Sequence, residues 1–160
     1  MTVARTRRRE PEGARPGNQA ARLSRVTYSG TVTNDMPLNE EQTQRVIDIA
    51  MDLSREGKAG ELAEFLDHGL PVDVADGDRN TLLMLAAYHG HEETVGMLLE
   101  RGADPDIRNA RDQSPIAGAL FKGEDAIVAR LLAAGADLDA GTPSARDAAR
   151  MFGREHLLEQ

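Results

Sequence analysis

A 33-residue internal repeat is the feature of this 160-residue sequence that most limits its possible folds. Residues 81–106 read TLLMLAAYHGHEETVGMLLERGADPD, and residues 114–139 read SPIAGALFKGEDAIVARLLAAGADLD. The same spacing relates three sets of residues: Gly57, Gly90 and Gly123; Gly69, Gly102 and Gly135; Leu66, Leu99 and Leu132. A fixed period of this length is typical of proteins built from stacked copies of one supersecondary unit.

The residues that start and end helices in each copy predict two short helices followed by a loop. Thr81 and Ser114 are candidate N-caps, and Pro115 takes the first helical position after Ser114. The first helix ends at a glycine, the second runs to a Leu-Leu pair, and Gly-Ala-Asp ends it. Two such helices bury little apolar surface alone, so neighbouring copies must stack to form a continuous core. We therefore predict an all-α solenoid.

The Leu-Leu pairs and the small Ala residues of neighbouring copies are predicted to close this core. On this interpretation, Leu99→Ala or Leu132→Ala costs about 2–5 kcal/mol of stability. Phe65 aligns with Leu98 and Leu131 and is therefore expected to be buried too.

Helix signals also precede the clear copies. Asn39 followed by Gln42 predicts a capped helix start, and apolar residues then recur at helical spacing until Gly57. A second short helix is predicted from Ala59 to His68, because Gly69 suits the left-handed position after a helix end.

The composition of the chain argues against several other classes of protein. Aromatic residues make up only 3% of the chain, which favours a helical core of Leu, Ala, Val and Met. The absence of cysteine excludes disulfides, Cys-ligated zinc and thiol nucleophiles. No run of 18 apolar residues is present, and no apolar segment follows the N-terminal arginines as a signal peptide requires. We expect a cytoplasmic protein.

The N-terminal segment differs in charge from the rest of the chain. Residues 1–34 carry seven arginines against two glutamates, a net charge of +5, whereas residues 35–160 carry −13. We predict a disordered Arg-rich tail over residues 1–36 and a repeat domain over 37–160. The tail is either a dispensable extension, with Met36 as a conceivable internal start, or a basic arm that contacts nucleic acid or the protein's own acidic body.

The repeats resemble those of the ankyrin family in their period, in the segment LAAYHGHEETVGMLLERGADPD and in the closing Gly-Ala-Asp. The resemblance implies about four stacked units, at about 39–76, 77–109, 110–141 and 142–160. Ankyrin units usually begin their first helix with Thr-Pro-Leu-His, and none of these units has that histidine. We therefore expect the hydrogen bonds that it supplies between units to be missing. The resemblance implies a non-catalytic module that binds proteins.

Catalytic and metal-site signals are weak. His89 and His91 flank Gly90, but Lys122 and Glu124 occupy the matching positions one unit later, so a structural role is favoured over metal binding. Asp73, Asp76 and Asp78 lack EF-hand spacing, and we interpret them as a solvated turn. No nucleophile elbow or phosphate-binding glycine loop is present. We predict no enzyme activity, no cofactor and no metal.

The predicted binding site is a surface at the ends of the first helices. In an ankyrin stack these positions face the concave side, and three of the five aromatic residues of the chain fall there. We call this surface the concave stripe; it comprises Arg55, Tyr88, His89, Phe121, Lys122, Met151 and Phe152, with Asp78, Asn80, Arg111 and Gln113 as its rim. Aromatic residues and arginine are typical of binding hot spots, although the rings could instead only pack between units.

The acidic repeat domain disfavours nucleic acid as the partner of the concave stripe, because phosphates would be repelled. We expect a protein partner and a monomeric chain. In the alternative, the Arg-rich tail makes the protein an adaptor that contacts nucleic acid or an acidic partner.

Overall fold

The computed structural model describes residues 38–159, so the predicted disordered tail over residues 1–36 lies outside the described residues. Seven α-helices and a final 3-10 helix follow one another in pairs. Their bounds are α1 Glu40–Glu56, α2 Ala59–Asp67, α3 Leu82–Tyr88, α4 Glu92–Glu100, α5 Pro115–Lys122, α6 Asp125–Ala133, α7 Ala145–Met151 and the 3-10 helix Glu155–Glu159.

The helices form a two-layer solenoid. The first helix of each pair (α1, α3, α5 and α7) packs against the first helix of the next, and the second helices (α2, α4, α6 and the 3-10 helix) do the same. Between residues 38 and 159 there is no β-strand, only an isolated antiparallel bridge between Ala75 and Thr81. The predicted all-α solenoid is confirmed. No helix in this part of the chain combines the length and hydrophobicity that a membrane crossing requires.

The helix starts are capped as the sequence predicts. Asn39 Oδ1 accepts from the Gln42 amide at 2.7 Å, and Gln42 Oε1 accepts from the Asn39 amide at 3.0 Å, which completes a capping box. Thr81 and Ser114 accept from the amides three residues on, and Pro115 is the first residue of α5. The cap residues therefore fix where each first helix begins.

The core is aliphatic and lies between the two layers. Leu98 and Leu131 are fully buried, whereas the neighbouring Leu99 and Leu132 are only partly buried. One leucine of each pair therefore lies inside the core, and the other, Leu99 or Leu132, packs at its margin. Successive helix residues point about 100° apart, so only one leucine of each pair can face the interior.

Phe65 is also less buried than predicted. Its ring packs against the core but stays partly exposed. Within residues 38–159, α2 packs against one other second helix, α4.

Hydrogen bonds between units are present despite the missing histidines. Ser54 Oγ donates to the Leu82 carbonyl at 2.6 Å, and His91 Nε2 donates to the Arg55 carbonyl at 2.7 Å. Arg154 Nη1 donates to the Leu120 carbonyl at 3.1 Å. Side chains at other positions therefore join the units, while the bonds expected from the family histidine have no donor in this sequence.

Candidate functional site

The concave stripe lies at the C-terminal ends of the four first helices. Arg55 is in the last turn of α1, Tyr88 ends α3, Lys122 ends α5 and Met151 ends α7. His89 and Phe152 are the residues immediately after α3 and α7. Because the first helices pack side by side, their ends align and these side chains form one row.

Three aromatic rings form the centre of the row. The Tyr88 and Phe121 ring centres are 6.3 Å apart with planes 6° from parallel, and Phe152 meets Phe121 edge-on at 5.3 Å. The four apolar side chains of the row keep large exposed fractions: 38% for Tyr88, 53% for Phe121, 66% for Met151 and 36% for Phe152. The rings therefore pack between units and also face solvent. Their role in binding stays a prediction.

A groove of about 340 Å³ opens beside Tyr88, between the first helices and the loop tips. Seven of the predicted site residues line it: Arg55, Asp78, Asn80, Tyr88, His89, Arg111 and Gln113. The other four, Phe121, Lys122, Met151 and Phe152, continue the row beyond the groove. Lys122 connects the two parts, because its amino nitrogen lies 4.9 Å from the centre of the Tyr88 ring.

The remaining lining residues were not predicted; they are Asp76, Met84, Leu85, Asn109 and Ala110. Asn109 is buried and matters most. Its Oδ1 accepts from the amides of Arg111 and Gln113, and its Nδ2 donates to Asn80 Oδ1 at 3.0 Å in the preceding loop. Asn109 thus holds two loop tips of the rim together. Its spacing of 33 residues from Asp76 was the sequence signal that could have identified it.

Asp76 has the same role one unit earlier. Its Oδ1 accepts from the amides of Asp78 and Asn80, both at 2.9 Å, and its Oδ2 lies 3.6 Å from the Arg55 guanidinium. The interpretation of this segment as a solvated turn is therefore wrong for Asp76, whose carboxylate orders the loop. Asp73 is also engaged, since its Oδ1 accepts from the Asp104 amide.

The electrostatic environment of the stripe is positive at His89. Partial burial lowers the pKa of the His89 imidazole, and the positive charges of His91, Arg55 and Lys122 lower it further. The ring itself lies edge-on to Tyr88, with centres 5.5 Å apart. At neutral pH His89 is therefore a neutral, polar group among cations.

A second histidine near the stripe makes a structural contact between units. His91, whose ring bonds the Arg55 carbonyl, joins α1 to the next pair, which agrees with the structural role favoured from sequence. In the span from Leu38 to Glu159, no group of three or more His, Asp or Glu side chains is arranged to hold a metal ion.

Comparison with known proteins agrees with the architecture. A family model described as ankyrin repeats (3 copies) matches residues 50–142, more than half of the chain. A putative ankyrin repeat protein of Pseudomonas aeruginosa is 43% identical over 59 residues, which is 37% of this chain and 34% of that protein.

Two longer proteins are similar over the repeats. Oxysterol-binding protein-related protein 1 of Mus musculus is 34% identical over 94 residues, 57% of this chain and 10% of that protein. Acyl-CoA-binding domain-containing protein 2 of Arabidopsis thaliana is 32% identical over 93 residues, 58% of this chain and 26% of that protein. The matches thus cover from a tenth to a third of the length of these relatives. With its paired helices, its 33-residue period and the family match, the chain belongs to the ankyrin-repeat family.

Proposed function

We propose that this protein is a non-catalytic binding module that holds a partner protein against the concave stripe. Ankyrin repeats are in general protein–protein interaction modules. The observation that carries the proposal is the row of Tyr88, Phe121, Met151 and Phe152, which remains solvent-exposed although the chain is poor in aromatic residues. Exposed apolar side chains that cluster on one surface mark interaction sites more often than scattered ones do.

The stripe has the properties of a pre-formed interface. Aromatic anchors and arginine provide much of the binding free energy in protein interfaces, and the stripe holds both. Its rings are already stacked, and its rim is already fixed by Asn109 and Asp76. Binding therefore needs little further ordering of these side chains, which reduces the entropic cost of association.

The names of the longer relatives suggest lipid-related ligands for those proteins. Because the matches cover only a tenth and about a quarter of them, we do not extend those ligands to this chain. The predicted cytoplasmic location and monomeric state belong to the same proposal.

A second function rests on charge. The seven arginines of residues 1–34 supply a +5 segment next to an acidic domain, which suits an adaptor that contacts nucleic acid or an acidic partner. Such binding would weaken steeply with salt and would disappear when residues 1–35 are removed.

A pull-down from native lysate tests both functions. The baits are the full chain, the chain from Met36 onward, and the full chain with Tyr88→Ala and Phe121→Ala. Ile49→Ala in the full chain is the matched control, because Ile49 is an exposed apolar residue (47% exposed) outside the stripe. Circular dichroism melts establish that each bait is folded.

We expect the same protein to be captured by the full chain, the Met36 chain and the Ile49→Ala control, and to be lost with the double variant. Capture that survives the double variant contradicts the proposal for the stripe. Capture that is lost only on truncation supports the adaptor function instead.

A further inference from the structure

We propose that the concave stripe binds an acidic segment of its partner, with a carboxylate in the groove and a neighbouring apolar side chain against Phe121. This inference rests on the proposed function and adds the chemistry of the bound segment. Positive charge and exposed apolar surface coincide at the stripe, although the domain as a whole is acidic.

The stripe is the exception to the charge of the domain. Residues 38–159 contain 12 Lys and Arg against 24 Asp and Glu, a net charge of −12 with neutral histidines. The stripe as defined holds Arg55, Arg111 and Lys122 against the single acid Asp78. The acidic remainder of the surface would attract a basic partner. The cations of the stripe instead favour an acidic one.

Two of these cations are available to a ligand. Among the residues from 38 to 159, none forms an ion pair with the side chain of Arg111 or of Lys122. Arg111 lines the groove, and Lys122 lies over the Tyr88 ring at its edge. An arginine guanidinium presents a donor fork that matches the geometry of a carboxylate.

The acids of the groove do not cancel this charge. Arg55 is shared between two acids, at 2.7 Å from Asp52 and 3.6 Å from Asp76, so it is not one of the available cations. The carboxylate oxygens of Asp76 are occupied by the amides of its own loop and by the Asn80 side chain. Asp78 lies at the exposed loop tip. The pKa of His89 in the groove is lowered mainly by burial and by His91, and Arg55 and Lys122 lower it further.

The dimensions and lining of the groove fit the carboxylate end of an Asp or Glu side chain. Its volume of about 340 Å³ is near the lower limit of small-molecule pockets, and polar side chains such as Asn80, His89 and Gln113 surround it. The apolar row begins where the groove ends, at Tyr88, and continues through the exposed Phe121 ring. A segment that carries an acid next to an aromatic or leucine side chain would engage both parts at once.

Selection from a random peptide library displayed on phage tests this chemistry. The immobilised full chain is compared with Arg111→Glu and with Arg79→Glu. Arg79 is an exposed arginine of the neighbouring loop that is absent from the groove lining, so it controls for the change in net charge. Selected peptides are then synthesised, and their affinities for the three proteins and for Phe121→Ala are measured by fluorescence anisotropy.

We expect the full chain to enrich peptides with Asp or Glu beside Phe, Trp or Leu. Arg111→Glu and Phe121→Ala should each weaken the binding of these peptides about tenfold or more, while Arg79→Glu changes it less than about twofold. Enrichment of basic or neutral peptides, or no enrichment, overturns the inference. Acidic peptides whose binding survives Arg111→Glu bind elsewhere, for example on the arginines of residues 1–34, and overturn it equally.

The failure of this inference can be separated from failure of the proposed function. If lysate capture depends on Tyr88 and Phe121 but the library returns no acidic sequences, the stripe binds a protein of other chemistry. If lysate capture ignores both rings, the proposed function itself fails.

Discussion

At the scale of single residues, two adjacent leucines in each repeat have different environments. Leu131 is fully buried between the layers, whereas Leu132 packs against the core from its edge. The same holds for Leu98 and Leu99 one unit earlier. The repeat therefore uses one leucine to fill the core and the other to cover its margin.

Leu131→Ala should cost about 2–5 kcal/mol in the free energy of unfolding, because it leaves a cavity among fully buried neighbours. Leu132→Ala should cost about 1–2 kcal/mol, because a smaller apolar area leaves water on folding. Equilibrium urea denaturation measures both. Equal costs, or a larger cost for Leu132, would show that the layers are packed in a different register.

His89 offers a direct measure of the field in the groove. NMR titration of its Cε1 proton should give a pKa below the ordinary value of 6.5, owing to burial and the nearby cations. Lys122→Gln removes one of those charges and should raise it. No change, or a decrease, in Lys122→Gln would contradict the electrostatic account of the stripe.

The lowered pKa of His89 also determines how the stability of the fold changes with pH. The folded chain holds its proton on His89 less tightly than the unfolded chain does. The contribution of neutral His89 to stability is therefore present above pH 6.5 and decreases as the pH falls through that value.

At the scale of elements, the loops between pairs are built around one repeated side chain. Asp76 and Asn109 each accept from the amides two and four residues on. Asn109 also bonds Asn80, so the loop of one unit is attached to the loop of the unit before it. These bonds fix the rim of the groove.

Asn109→Ala should cost about 1–3 kcal/mol, because it removes the acceptor for two loop amides and the donor to Asn80. Asn109→Asp is the matched variant: it keeps the acceptor, as Asp76 does, but loses the donor to Asn80 and Gln113 and adds a negative charge. It should cost less than Asn109→Ala, because the two loop amides keep their acceptor. Thermal melts by circular dichroism compare the two, and an alanine variant that is as stable as the parent would contradict this role.

At the scale of the whole molecule, the sequence predicts the architecture better than it predicts burial. The repeat period, the caps at Asn39, Thr81 and Ser114 and the glycine helix ends were all readable, because each depends on local chemistry. The degree of burial of Phe65 and Leu132 was not, since it depends on how many neighbours a unit has and on how the layers meet.

The candidate site, too, is predicted only in part from the sequence. The sequence identifies the row of helix ends because their positions follow from the repeat. It did not identify the role of Asn109 or the hydrogen bonds that Ser54 and Arg154 make between units. These contacts join residues about 30 positions apart, so their pairing depends on the stacked fold. The aromatic rings pack between units and remain partly exposed, and their role in binding stays a prediction.

A map of backbone amide NMR shifts in the full chain, recorded when the captured partner protein is added, locates the binding surface directly. We expect the largest changes at Tyr88, His89, Phe121 and Phe152 and at the rim from Arg111 to Gln113, with little change along α2, α4 and α6. Largest changes along those second helices would contradict this expectation, because the partner would then occupy the opposite layer of the solenoid.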